Sequence, residues 1–224
     1  MGVLRSSGKR SRRAAAVITG AGSGIGAAFA KELARRGGRV VCSDIDETAA
    51  RATTDVIIDH GGSALPLRCD VSQADDVHRL ATDAQSWFGG PPTLVINNAG
   101  VGAGGTPVGD GSLDDWAWVL GVNLWGVIHG CHVFTPILRE AGYGGIINVA
   151  SAAAFAAAPG MAAYNVSKAG VLSLSETLAA ELSKCSAPGS RARTLATCSA
   201  WRRRSRAVGR PRSRRPSLSP RPGG

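Results

Sequence analysis

An alternation constrains the fold of this chain more than any other feature. Between Ala14 and Ser183 there are five short apolar runs, "AAAVIT", "RVVCSD", "ALPLRCDV", "TLVINNA" and "GIINVAS", each bounded by glycine, proline or another turn residue. Runs this short and continuous suit strands covered on both faces, as in a parallel sheet. Between them lie stretches with helical spacing. These are Ile25, Phe29 and Leu33 at i, i+4 and i+8, then "ETAARATTDVIIDH", then "QADDVHRLATDAQSWF" after a Ser72/Asp75 capping pair. A long one runs from Leu113, capped by Ser112 and Asp115, to about Pro136, and a last from about Ala162 to Leu182. Strand and helix in alternation predict one α/β domain, a doubly wound and mainly parallel sheet with right-handed crossovers.

Composition matters here for where the charge sits. The formal net charge is +10, yet residues 14–183 hold 9 basic residues against all 16 acidic ones. The excess lies in a leader, residues 1–13, and in an Arg-, Pro- and Ser-rich tail, residues 184–224, neither of which has an acidic residue. The tail has too few large apolar residues to build a core and is expected to be disordered. Aromatic residues to stack on bases are nearly absent from it, Trp201 standing alone, so no specific nucleic-acid partner is expected. The 5 cysteines have no CxxC or zinc spacing and the 4 histidines form no ligand set, so neither a disulfide framework nor a metal site is expected. No uninterrupted apolar run reaches the roughly 18 residues of a membrane span, and a cytoplasmic protein without a membrane partner is expected.

"TGAGSGIG", Thr19 to Gly26, follows the first run and opens the first helix. Gly20 and Gly24 would permit tight turns, Gly26 close helix packing, and the helix N-terminus would face a pyrophosphate. Asp44 ends the second run about 20 residues further on, where a carboxylate accepts both hydroxyls of an adenosine ribose and repels a 2′-phosphate. Neither Ser23 nor Ile45 offers a basic replacement, which favours NAD over NADP. Tyr164 and Lys168 stand at i and i+4 on one helix face, so an ammonium can lie beside a phenol and favour its anion.

The glycine turn, "CDV" with Asp70, "NNAG" at Asn97 to Gly100, Asn123, Ser151 and "YNVSK" at Tyr164 to Lys168 come in an order and spacing that resembles the short-chain dehydrogenase/reductase family. The resemblance covers Ala14 to Ser183. It implies a Rossmann-like fold and hydride transfer between a nicotinamide cofactor and an alcohol or ketone. Tyr164 is then the general acid and base, Lys168 also holds the nicotinamide ribose, Ser151 bonds the reacting oxygen, and Asn123 positions water in a proton relay. The cofactor contacts it implies are Gly20, Ser23, Gly24, Ile25, Gly26, Asp44, Asp70, Val71, Asn97, Ala99, Gly100, Tyr164 and Lys168. It also implies a homo-oligomer paired through the Asn123 helix and the Tyr164 helix. "FAAAPGM", Phe155 to Met161, suggests an apolar wall for the substrate.

The family pattern continues into a sixth strand and a Pro-Gly turn, but here Pro188 and Gly189 follow Tyr164 too soon and no apolar strand precedes them. The composition of the tail resembles a GC-rich coding segment translated out of frame. Without a sixth strand, "IINVAS" is expected to be a sheet edge, and the alternative to an active enzyme is an impaired protein that binds cofactor without turnover. A basic-tail nucleic-acid binder is the remoter alternative.

Overall fold

A computed structural model describes residues 13–102 and 104–184, so the expectations for the leader before Arg13 and for the tail after Lys184 lie outside the described residues. Five strands form: β1 (Ala15–Thr19), β2 (Arg39–Asp44), β3 (Ser63–Arg68), β4 (Leu94–Asn97) and β5 (Ile146–Asn148). All pairs are parallel, and the order is β3-β2-β1-β4-β5, with Val17 opposite Val41 on one side and Val95 on the other. The order reverses at β1, where ligand crevices open in sheets of this kind. Among the described residues β5 is an edge, and so is β3, whose Pro66 is tolerated because an edge strand need not donate on both sides.

Helices α1 (Gly24–Arg35) and α2 (Glu47–Asp59) cover one face, where Ile18, Val40, Cys42 and Ile96 meet Ala30, Leu33 and Ile57. The other face carries α3 (Ala74–Phe88), α5 (Gly126–Ala141) and α6 (Ala162–Lys184), which bury Val17, Val41 and Val95 under Leu80, Phe134 and Val171. The strand residues alternate between the two cores with period two, as a pleated sheet requires.

Three local expectations are corrected. Helix α1 has the expected period but another phase: Ile25 is 63% and Phe29 36% exposed, while Gly26, Ala27, Ala30, Leu33 and Ala34 face the sheet. Small residues win that face because they let the helix approach closely. Helix α3 begins after Gln73 with no side-chain cap, because Ser72 bonds Asp70 instead.

The long helix is not one α-helix. It comprises α4 (Leu113–Leu120), a π turn (Gly121–Trp125) and α5, which runs past Pro136 to a left-handed Gly142. Leu113–Ala141 is long and apolar enough to cross a membrane, against the expectation from uninterrupted runs. In the fold it buries Val127, Cys131, Phe134 and Leu138 in the core.

Candidate active site

The carboxyl ends of the strands open into one cleft of about 890 Å³. Its first wall is the glycine turn. Gly20 (φ 65°) and Gly24 (φ 52°) take the left-handed backbone that favours glycine. A Cβ at Gly26 would stand 2.1 Å from the Gly20 carbonyl oxygen, so only glycine fits there. Ser23 precedes α1 without capping it, which leaves the helix N-terminus without a side-chain acceptor of its own.

Asp44 lines the same wall. Its Oδ2 accepts from the Gly22 N–H at 2.9 Å and its Oδ1 from the Asp46 N–H at 3.1 Å. It does not cap α2; Asp46 does, accepting from Thr48 and Ala49. Asp70 and Val71 follow β3 into the cleft. Asp70 accepts from the backbone and hydroxyl of Ser72, and the Val71 carbonyl accepts from His129 Nδ1 at 2.9 Å. Cys69, also in the lining, has its thiol pushed up to about 12 by burial, so it lies there as an inert apolar group.

The floor is tied across the sheet. The Thr19 hydroxyl accepts from the backbone of Asn98 and of Ala99, each at 3.1 Å, and Asn98 Nδ2 donates back to the carbonyls of Thr19 and Gly20. Ala99 and Gly100 line the cleft. Asn97 is not brought to it. Its side chain turns into the core and donates to Asn148 Oδ1 at 2.8 Å, so of the two adjacent asparagines the second reaches the cleft.

The far wall carries Ser151, Tyr164 and Lys168. Tyr164 lies in the first turn of α6, and Lys168, one turn on, sets its Nζ 5.7 Å from the Tyr164 ring centre. Lys168 is only 4% exposed; its ammonium donates to the Val149 carbonyl at 3.0 Å, and burial lowers its pKa. Ser151 Oγ accepts from the Ala153 N–H at 3.2 Å, and among the described residues its own proton is left for a ligand oxygen.

Asn123 sits at the middle of the π turn, fully buried and not in the cleft lining. It pairs with both backbone groups of Val101, accepting from its N–H at 2.7 Å and donating to its carbonyl at 2.8 Å. Its Nδ2 also donates to Ser167 Oγ at 3.3 Å, and that hydroxyl donates to the Tyr164 carbonyl at 2.7 Å. Asn123 therefore joins the loop after β4 to the helix that bears Tyr164 and Lys168.

Thr19, Asn98, Ser167 and Trp118 were missed by sequence reasoning. Asn98 and Ser167 lie inside the motifs "NNAG" and "YNVSK", beside Asn97 and Lys168. Trp118 carried no signal beyond its place on an amphipathic helix.

Residues 14–186 match the model of the short chain dehydrogenase family. The chain is 44% identical over 166 residues to "Probable oxidoreductase EphD" of Mycobacterium tuberculosis, which covers 74% of this chain and 28% of that protein. Among solved structures, a short chain dehydrogenase/reductase from Burkholderia phymatum in complex with NAD superposes with a TM-score of 0.77 at 43% identity. That match covers 82% of this chain and 64% of the other. A metagenomic short-chain oxidoreductase in complex with NADP gives 0.72 at 36% identity over 75% of this chain and 76% of its own. The chain thus spans under two thirds of the EphD and Burkholderia proteins. With the family model covering most of its length and the cleft built on the sheet that family shares, the chain belongs to the short chain dehydrogenases, a family of oxidoreductases.

Proposed function

We propose that this chain binds a nicotinamide dinucleotide, NAD in preference to NADP, and moves a hydride between it and an alcohol or ketone. The observation that carries the reading is the Lys168 ammonium, buried beside the Tyr164 ring in the cleft that begins at the glycine turn. A buried cation without a carboxylate is costly and is retained where its charge has work to do.

The cradle fits such a cofactor. Left-handed Gly20 and Gly24, the close-packed Gly26 and the uncapped start of α1 suit a pyrophosphate, and Ser23 and Ile25 flank it. Asp44 suits the ribose hydroxyls, while among the described lining residues the one cation, Lys168, lies at the opposite end. That is the support for NAD over NADP. Asp70, Val71, Ala99 and Gly100 complete the cofactor wall, with Asn97 holding it from below.

The bound cofactor supplies the site that gives or accepts the hydride. The chain itself handles the proton. Tyr164 gives or takes it at the substrate oxygen, with the Lys168 ammonium favouring the phenolate. The Ser151 hydroxyl holds that oxygen in place. Asn123 keeps the Val101 loop and α6 at a fixed separation, a role apart from the positioning of water that the resemblance implies for it. Free buried thiols at Cys42, Cys69 and Cys131 suit a reducing cytosol, and exposed Trp125 and Val166 on the two helices concerned support a homo-oligomer.

Fluorescence titration with NADH and a steady-state assay on secondary alcohols test the reading. Tyr164→Phe is expected to lower kcat by about 10²–10⁴-fold while NADH still binds. A variant that turns over as fast as the parent would remove Tyr164 from the chemistry. Binding without turnover of any alcohol or ketone would reduce the chain to a cofactor-binding module.

A further inference from the structure

We infer that the substrate end of the cleft selects an uncharged carbonyl or alcohol carrying an aromatic or branched apolar group, and that Trp118 is the residue that selects it. The inference rests on the reading of Tyr164 and Ser151 given above. The stretch Phe155–Met161 was expected to form the apolar wall, but only Met161 lines the cleft, and Phe155 stands outside at 62% exposure. The wall comes instead from α4 and the π turn. Trp118 and Val122, four residues apart and so on one helix face, line the cleft together with Val101 and Met161.

Trp118 is 51% exposed although it borders a cleft, so an apolar ring meets water where a ligand could cover it. Met161 is held opposite by a strap. The Gly105 N–H donates to the Gly160 carbonyl at 2.9 Å, and a Cβ at Gly104 would come within 3.1 Å of Met161 Cγ. Of the carboxylates of the lining, Asp44 ends β2 and Asp70 follows β3, on the far side of the sheet order. Among the described lining residues the catalytic end therefore offers a bound anion no cation except Lys168, whose ammonium is buried and already bonded to Val149. A carboxylate substrate would be desolvated there without a cationic partner, whereas an aryl or branched group covers Trp118.

Isothermal titration calorimetry on the full chain saturated with NAD, which cannot reduce a ketone, decides the matter with acetophenone and pyruvate as probes. Acetophenone is expected to bind and pyruvate not to. Trp118→Ala should weaken acetophenone by about tenfold or more, the scale of losing one large apolar contact, and Trp118→Phe should restore most of it. Pyruvate binding as tightly as acetophenone, no binding of either probe, or an affinity unchanged in Trp118→Ala would each overturn the inference. If acetophenone binds as expected but no ketone is reduced when NADH is supplied, the proposed activity fails while the assignment of Trp118 stands.

Discussion

On the β1–β2 side the cleft owes its shape to side chains that are missing, and on the β4–β5 side to side chains that are buried and polar. Gly20, Gly24 and Gly26 let backbone approach backbone, and a single added carbon at Gly26 would meet the Gly20 carbonyl. Across the floor, Asn97, Asn148 and Ser175 form a buried chain of hydrogen bonds, Asn123 clasps Val101, and Lys168 reaches Val149. The first side is rigid because nothing else fits. The second is rigid because each polar group would be stranded if its partner left. Substitutions on the two sides should therefore fail differently.

Gly26→Val carries the largest expected effect. Backbone standing 2.1 Å from the added Cβ cannot readily move aside, so the variant should lose several kcal/mol of stability, enough to unfold much of the chain. A urea midpoint near the parent's would show that the turn is not set by sterics.

Lys168→Met separates fold from chemistry on the other side. Turnover should fall by about 10²-fold or more. Stability should change little, because the relief of a buried charge offsets the donor lost to the Val149 carbonyl. The sign follows from the lowered pKa: between the folded value and the ordinary 10.5, the unfolded chain binds the proton that the folded chain has released. Stability of the cofactor-free parent should accordingly gain a rising component as pH climbs toward 10.5, and Lys168→Met should lack it. Urea midpoints measured along that climb check this; equal slopes for parent and variant would mean that the ammonium is not desolvated.

Asp44→Arg should act chiefly on cofactor choice, weakening NAD by about tenfold and improving NADP, with a smaller loss of stability as the Gly22 and Asp46 N–H groups lose their acceptor. Competitive titration of the two dinucleotides measures it, and an unchanged preference would detach Asp44 from the ribose. The smallest effect expected is none. At pH 8 the native thiols of Cys42, Cys69 and Cys131, raised to about 11, 12 and 11 by burial, should resist a maleimide, as peptide mass spectrometry would report. Rapid labelling of Cys69 in the cleft would mean that its wall opens.

All five strands were legible because short apolar runs bounded by turns have few other uses in an alternating chain. The glycine turn and the Tyr164/Lys168 spacing were legible because sterics and helical period act locally. The phase of α1 was not: Ile25 and Phe29 promise more apolar area than Gly26, Ala27 and Ala30, but the close approach of the helix decides the face. Asn97 and Asn98 are indistinguishable by type, and only the pleat of β4 sends one to the core and the next to the cleft. Trp118 emerged as a wall only when α4 was set beside α6, a contact between segments far apart in sequence.

The π turn at Gly121–Trp125 fixes the tolerance of this region to changes in length. A π turn holds one residue more than the α geometry on either side, and each residue of an α-helix turns the chain by about 100°. The widened turn takes up that extra residue locally, so Trp118 keeps its face toward the cleft while Phe134 and Leu138 keep theirs toward the core. Deleting one residue at the turn should leave an unbroken α-helix with both faces in phase, at the cost of the turn that seats Asn123 against Val101. A residue added to α5 ahead of Phe134 should instead turn Phe134 and Leu138 out of the core by that angle, so the place of a change in length matters more than its sign.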